Sequence, residues 1–305
     1  MLSPLPSLVP AMPYAPLKPW FRYLYRALIQ RRVLADTVKH LGRSALVFAP
    51  HPDDETLGCG GTLVRKKQAG ADIKIIFMTD GCQSHAHLMP ATQLKKIRAR
   101  EAIAAAQQLG IPSQDVFFLE VPDGTLASHA DWAIRQVASL LLEWLPEEIF
   151  VPYCQDGVPD HDATNYSVVS AVKQCGLAVT VYEYPVWFWA HWPWTQGENS
   201  PAQLQQTSLR QTLQTMAQFL QDFQCAIDIR EVLEIKRAAL QQHVSQMTQL
   251  IPHPRWHTLK EVSGGEFLDC FFQNYEVFRR YHLGSERLFF PPLRKSENFD
   301  LVARW

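Results

Sequence analysis

The chain lacks the features that mark secreted, membrane-spanning and nucleic-acid-binding proteins. Its six cysteines, Cys59, Cys82, Cys154, Cys175, Cys225 and Cys270, form no C-x-x-C pair and no dense framework. That spacing excludes a disulfide scaffold and a thiolate zinc site, and it fits a reducing compartment. An uninterrupted apolar run of about 18 residues, the length a membrane helix needs, is missing. The first residues show no basic stretch followed by an apolar one, so a secretory signal is not expected. An excess of charge of one sign is missing too, with 29 Lys and Arg against 30 Asp and Glu. No global field therefore draws in nucleic acid. A soluble cytoplasmic protein acting on a small molecule is the resulting expectation.

What is present describes an ordinary globular chain, 47% hydrophobic and 19% charged over 305 residues, long enough to bury a large core. No low-complexity linker divides it, and the expected organisation is an extension over 1–43, one domain over 44–290 and a tail over 291–305. The extension opens with five prolines among residues 1–17. From Lys18 to His40 it turns helical and basic, with Trp20, Leu24 and Leu28 at fourfold spacing and Arg22, Arg26, Arg31 and Arg32 between them. Such a helix suits two places, packed on the domain with its arginines solvated or in peripheral contact with an anionic membrane. Packing on the domain is the commoner use.

From Ser44 onward, apolar runs of strand length alternate with helical patterns. Strands are expected over Ser44–Ala49, Ile73–Thr79, Val116–Leu119, Glu148–Tyr153 and Leu177–Tyr182. Helices are expected from about Cys59 to Gly70, Thr92–Leu109, Trp132–Leu145 and Ala163–Gln174. Alternation of this kind gives right-handed βαβ units, and so an α/β, Rossmann-like, mostly parallel sheet with helices on both faces. Helix Pro201–Leu220, a strand near Cys225–Ile229, helix Glu231–Met247 and the segment Tyr275–Arg280 read as C-terminal α+β additions. The turn after the first strand is not G-x-G-x-x-G, so dinucleotide binding loses its main support.

That turn reads His51-Pro52-Asp53-Asp54-Glu55. An acidic pair before a helix is often only a cap, but capping does not explain the histidine. With Pro52 restricting the chain, His51 and Asp54 can converge on one point while Asp53 turns elsewhere. Imidazole nitrogen and carboxylate oxygen are both zinc ligands, and a catalytic zinc takes about three protein ligands plus water. The fourth strand runs into C-Q-D-G-V-P-D-H-D, which brings His161 to the same sheet edge as the third ligand. Asp53 is left beside the metal as a base for a metal-activated water. Two histidines and one carboxylate also suit Fe2+ in an oxygenase, and the spare carboxylate favours hydrolysis.

The string A-P-H-P-D-D-E-T-L-G-C-G-G resembles the PIG-L/LmbE family, together with T-D-G at Thr79–Gly81, R-x-R-E at Arg98–Glu101, L-G-I at Leu109–Ile111 and P-D-H at Pro159–His161. The later K-R-A-A-L-Q-Q-H-V-S-Q, Lys236–Gln246, is similar to a family helix as well. The resemblance implies a Rossmann-like, zinc-dependent deacetylase of N-acetylglucosamine conjugates, with His51, Asp54 and His161 on Zn2+ and Asp53 as general base. It also places Arg98 or Arg100, and Asp123, where the family contacts or supports the sugar. One departure stands out. The family's H-x-D-H histidine, which stabilises the oxyanion, is Val158 here, and Asp160, which would orient it, is expected to lack its partner. Tyr153, His85, His87 and His191 are the candidate replacements. The alternative is a carbohydrate-binding relative of weak activity.

The stretch Tyr184–Trp194 holds four of the nine tryptophans. An aromatic insertion over 184–200 is expected near the site, with Trp189 and His191 toward the substrate, or else as a hydrophobic cluster under a lid.

Overall fold

The computed structural model describes residues 40–192 and 209–284, together with residues 27 and 195. In chain order the elements are β1 (Ala45–Ala49), α1 (Asp54–Gln68), β2 (Ile73–Thr79), α2 (Ala91–Gln108), β3 (Val116–Val121), α3 (Ala130–Trp144), β4 (Glu148–Pro152) and α4 (Pro159–Cys175). They continue with β5 (Val179–Tyr184), a 3-10 turn over Trp187–His191, α5 (Leu209–Asp222), β6 (Cys225–Asp228), α6 (Leu233–Gln241), α7 (Val244–Met247), α8 (Glu266–Asp269) and β7 (Tyr275–Leu283). Among the described residues no helix is long and apolar enough to cross a membrane. The basic aromatic helix expected over Lys18–His40 and the tail over 291–305 lie outside the described residues.

The strands form one seven-stranded sheet in the order β3-β2-β1-β4-β5-β7-β6. The pairs β3-β2, β2-β1, β1-β4 and β4-β5 are parallel, whereas β7 runs antiparallel to both β5 and β6. The expected mostly parallel α/β sheet is therefore present. The C-terminal additions extend that sheet.

Side-chain alternation divides the core into two layers. Val47, Ala49, Ile75, Phe77 and Phe150 face Leu57 and Leu63 of α1, Ala102 and Ala106 of α2, and Phe219 of α5. Leu46, Phe48, Ile76, Met78, Ile149 and Val151 face Val137 and Leu141 of α3 and Val168 and Val172 of α4. Burial of each such side chain contributes about 1.5–3 kcal/mol, which is why both faces of these strands read as continuous apolar runs.

Several boundaries differ from the sequence reading. Helix α1 starts at Asp54, not near Cys59, because its glycines are helical positions packed closely by other elements. A Cβ on Gly58 would lie 2.1 Å from the Tyr184 ring, so the close approach of α1 to β5 requires glycine there. Helix α4 starts at Pro159, a residue preorganised for a first helical turn, so His161 sits in that turn and not on a loop. Strand β5 spans Val179–Tyr184, further along than Leu177–Tyr182. The helix expected over Glu231–Met247 is two helices, broken at His243, where ψ is 61°. Of the helix expected over Pro201–Leu220, only the part from Leu209 lies in the described residues.

Candidate active site

Strands β1 and β4 are neighbours, and here the strand order reverses, since β2 follows on one side and β5 on the other. Ligands of open α/β sheets bind in the crevice beyond the strand ends at such a point. His51 leaves the end of β1, and His161 enters from the first turn of α4, one short loop after β4. Their ring centroids are 5.4 Å apart. Asp54 lies between them, its Oδ2 3.3 Å from His51 Nδ1 and 3.3 Å from His161 Nε2. Ligand atoms of His51, Asp54 and His161 all fall within 4.8 Å of one another, a group that can hold a metal ion. Both ring nitrogens of His161 are buried, Nε2 facing Asp54 and Nδ1 lying 2.8 Å from Asp156 Oδ2.

The charges reinforce one another. Burial opposes a charge on His161, but the Asp54 and Asp156 carboxylates outweigh it and push its pKa up to about 9. Burial likewise opposes ionisation of Asp54, yet His161 and His51 hold it well below the usual carboxylate range. This is a dense anionic pocket with basic imidazoles, the electrostatic setting that a divalent cation stabilises.

Asp53 points away from this group. Its backbone has φ 129° and ψ −27°, a region that a non-glycine residue occupies at a cost of about 1–3 kcal/mol. Three contacts hold it there: its amide donates to Glu55 Oε2 at 3.0 Å, its carbonyl accepts from Leu57 N at 2.9 Å, and its Oδ2 lies 3.3 Å from Arg98 Nη2. Burial pushes the Asp53 carboxyl up to about 7, against the pull of Arg98. Arg98 also donates to the carbonyls of Gly81, at 2.7 Å, and Pro52. Gly81 has φ 59°, and a Cβ there would come within 2.8 Å of Arg98 Nη1. The T-D-G turn therefore needs its glycine.

Beyond these residues opens a cleft of about 420 Å³, within the range of small-molecule sites. Gln83, Ser84, Asp123 and Gln246 give it polar lining, and Val158, Val186, Trp187, Leu259 and Phe267 give it an apolar side. Asp123 lies 3.1 Å from His51 Nε2. Asp160 is not without a partner: its carboxylate accepts from Gly124 N at 2.7 Å and Leu126 N at 3.1 Å and stands 3.3 Å from His51 Nε2. The imidazole beside Asp160 is that of His51.

Other expected contacts fall elsewhere. Arg100 is exposed and is not among the cleft-lining residues. Trp189 is buried against Phe188, Trp192 and Phe219, and Trp187 is the tryptophan that reaches the cleft. His191 ends the 3-10 turn, and its side chain lies outside the described residues. His85 faces the His257 carbonyl at 2.9 Å and stacks on Trp256, His87 faces the Arg255 carbonyl, and the Tyr153 hydroxyl donates to Asp222. Each of these three is held by another part of the chain.

Reading from the sequence passed over several residues that build the site. Glu55 accepts from the Asp53 amide and faces His243 Nε2 at 3.2 Å. Glu101 accepts from Ser245 N at 2.7 Å and Ser245 Oγ at 2.6 Å, and the next residue, Gln246, reaches the cleft. Lys236 donates to Glu276 at 2.7 Å and to the Leu57 carbonyl at 2.8 Å. Glu55 and Glu101 stood in the H-P-D-D-E and R-x-R-E strings, and Lys236, His243, Ser245 and Gln246 in the Lys236–Gln246 pattern, but none of these strings gave them a role.

Residues 46–172 match the PIG-L family model, described as GlcNAc-PI de-N-acetylase. A 1D-myo-inositol 2-acetamido-2-deoxy-alpha-D-glucopyranoside deacetylase of Rhodococcus erythropolis is 26% identical over 247 residues, covering 68% of this chain and 81% of its own. The solved N,N'-diacetylchitobiose deacetylase of Pyrococcus horikoshii superposes with a TM-score of 0.56 at 18% identity, covering 92% of this chain and 95% of its own. A 4-carboxy-2-hydroxymuconate hydratase of Pseudomonas putida KT2440 superposes with a TM-score of 0.50 at 16% identity, covering 84% and 99%. These two likenesses concern the fold. Since a PIG-L-like fold is shared by hydrolytic and hydrating enzymes, the reaction is argued from the site.

Proposed function

We propose that this chain is a zinc-dependent N-deacetylase that releases acetate from an N-acetylglucosamine-type conjugate. The observation that carries the reading is the group His51, Asp54 and His161 at the switch point, with the buried carboxyl of Asp53 turned away from it beside the same cleft. Two imidazoles and one carboxylate are a catalytic zinc donor set. When bound, zinc supplies acidity to a water and polarises the amide carbonyl.

The chain's own residues do the rest. Asp53 takes the proton of the attacking water on its carboxylate and hands it to the departing amine, a role suited by a pKa of about 7. Arg98 keeps that carboxylate oriented and sufficiently acidic to be charged at neutral pH. Asp123 and Asp160 hold His51 from its Nε2 side, opposite the nitrogen that faces Asp54. Gln83, Ser84 and Gln246 offer partners for sugar hydroxyls, and the apolar side excludes water from the reacting centre. Six free thiols suit a reducing compartment such as the cytoplasm.

The test is acetate release by the zinc-loaded protein from a small N-acetylglucosamine glycoside. Release without oxygen uptake supports the deacetylase. Sugar binding with no acetate would make the chain a binding relative, and oxygen consumption would make it an iron enzyme.

A further inference from the structure

Asp156 is fully buried on the loop between β4 and α4. Val158, not Asp156, holds the cap position of α4. One oxygen, Oδ1, accepts from Val186 N and Phe188 N, both at 2.9 Å. The other, Oδ2, accepts from Trp187 N at 2.8 Å and lies 2.8 Å from His161 Nδ1. Three consecutive amides and one imidazole thus converge on a single carboxylate. Hydrogen bonds to an ionised acceptor are about twice as strong as neutral ones, so this cluster is a rigid one.

We infer that Asp156 is a positioning residue that fixes a metal ligand and the aromatic side of the cleft together. For the metal, the consequence is a tautomer. A carboxylate at Nδ1 keeps the proton there and leaves His161 Nε2, the nitrogen facing Asp54, free to ligate. For the substrate, the consequence is a wall. The Val186–Phe188 amides are pinned, so Trp187 is set against Phe267, ring centroids 5.2 Å apart and 27° from parallel, and both line the cleft. A shift of Asp156 moves both at once. The inference rests on the proposed function only in taking His161 as a ligand.

The wild-type protein, zinc-loaded and labelled with 15N-histidine, gives the first test. His161 should carry its proton on Nδ1; a proton on Nε2 overturns the inference. The second test compares variants by chelator competition for zinc and by KM on a small N-acetylglucosamine glycoside. Asp156→Asn, which cannot accept from all four donors, should bind zinc about 10–100-fold more weakly and also show a raised KM. Trp187→Ala should raise KM and leave zinc affinity unchanged. Zinc affinity of Asp156→Asn within twofold of wild type overturns the inference. If that variant fails to fold, the tautomer of the wild type decides alone. A chain that releases no acetate would sink the deacetylase reading and leave the tautomer and zinc measurements able to decide this one.

Discussion

Glu55 and His243 are 188 positions apart in the chain and 3.2 Å apart in the fold, both fully buried. The same Glu55 carboxylate accepts from the Asp53 amide, so the imidazole reaches the proposed general base through one side chain. Glu55→Ala should destabilise the fold by about 3 kcal/mol, the cost of stripping one partner from a buried pair. It should also lower kcat more than it raises KM, because the strained Asp53 backbone loses its acceptor. Urea denaturation and steady-state kinetics check the two halves; an unchanged midpoint would show the pair to be idle.

Metal retention should follow the ligand set. His51→Ala is expected to strip the zinc, whereas Cys59→Ala and Cys82→Ala are expected to keep it. Elemental analysis of the purified variants decides, and full zinc in His51→Ala would end the assignment.

Asp53 faces away from the ligands and should be dispensable for holding metal. Asp53→Asn is expected to keep zinc and to lose about 10² or more in kcat. A variant that loses its zinc would make Asp53 a ligand.

The raised pKa of His161, about 9, sets a pH dependence. In the metal-free protein the protonated imidazole contributes stability that is complete below the unfolded value near 6.5 and is lost as pH rises through about 9. Zinc takes the neutral imidazole, so it must displace that proton at lower pH. Zinc affinity should therefore climb by up to about tenfold per pH unit below 9. Chelator competition between pH 6 and 10 measures the slope, and a flat profile would contradict the placement of His161.

Val158 lines the cleft at the position where the family resemblance implies a histidine. Asp160 would have to orient an imidazole introduced there, but its oxygens already serve Gly124, Leu126 and His51. Val158→His should thus change kcat/KM by less than about tenfold, or 1.4 kcal/mol. A larger gain would show that the Asp160 network yields to a new partner.

Much of this arrangement was legible in the residues themselves. H-P-D-D-E after an apolar run, and P-D-H after another, pointed to His51, Asp54 and His161, which the fold brings together because strand ends recur on one sheet edge. The alternation of elements gave the fold class for the same reason. What escaped was decided by distant packing. Gly58 and Gly61 lie inside α1, where a Cβ would come within 2.1 Å of the Tyr184 ring and 2.8 Å of Ile229, and these neighbours are distant in sequence. Among four clustered tryptophans, composition could not choose Trp187 over Trp189; a 3-10 turn sends one to the cleft and buries the other. Asp160 seemed stranded because its real partners come from the loop after β3.

The ion pair of Lys236 and Glu276 limits how far this protein can be shortened. Lys236 donates to the Leu57 carbonyl, while Glu276 accepts from the Gly61 and Thr62 amides at 2.8 and 2.7 Å, all inside the helix that begins at the proposed metal ligand Asp54. The family model ends at residue 172, a hundred residues before Glu276. A protein trimmed to that segment would keep every proposed ligand and the base, yet lose the two charged side chains that grip the ligand-bearing helix from β7 and α6. The unit that can be transplanted, swapped or evolved as a catalyst is therefore longer than the stretch by which its kinship is recognised.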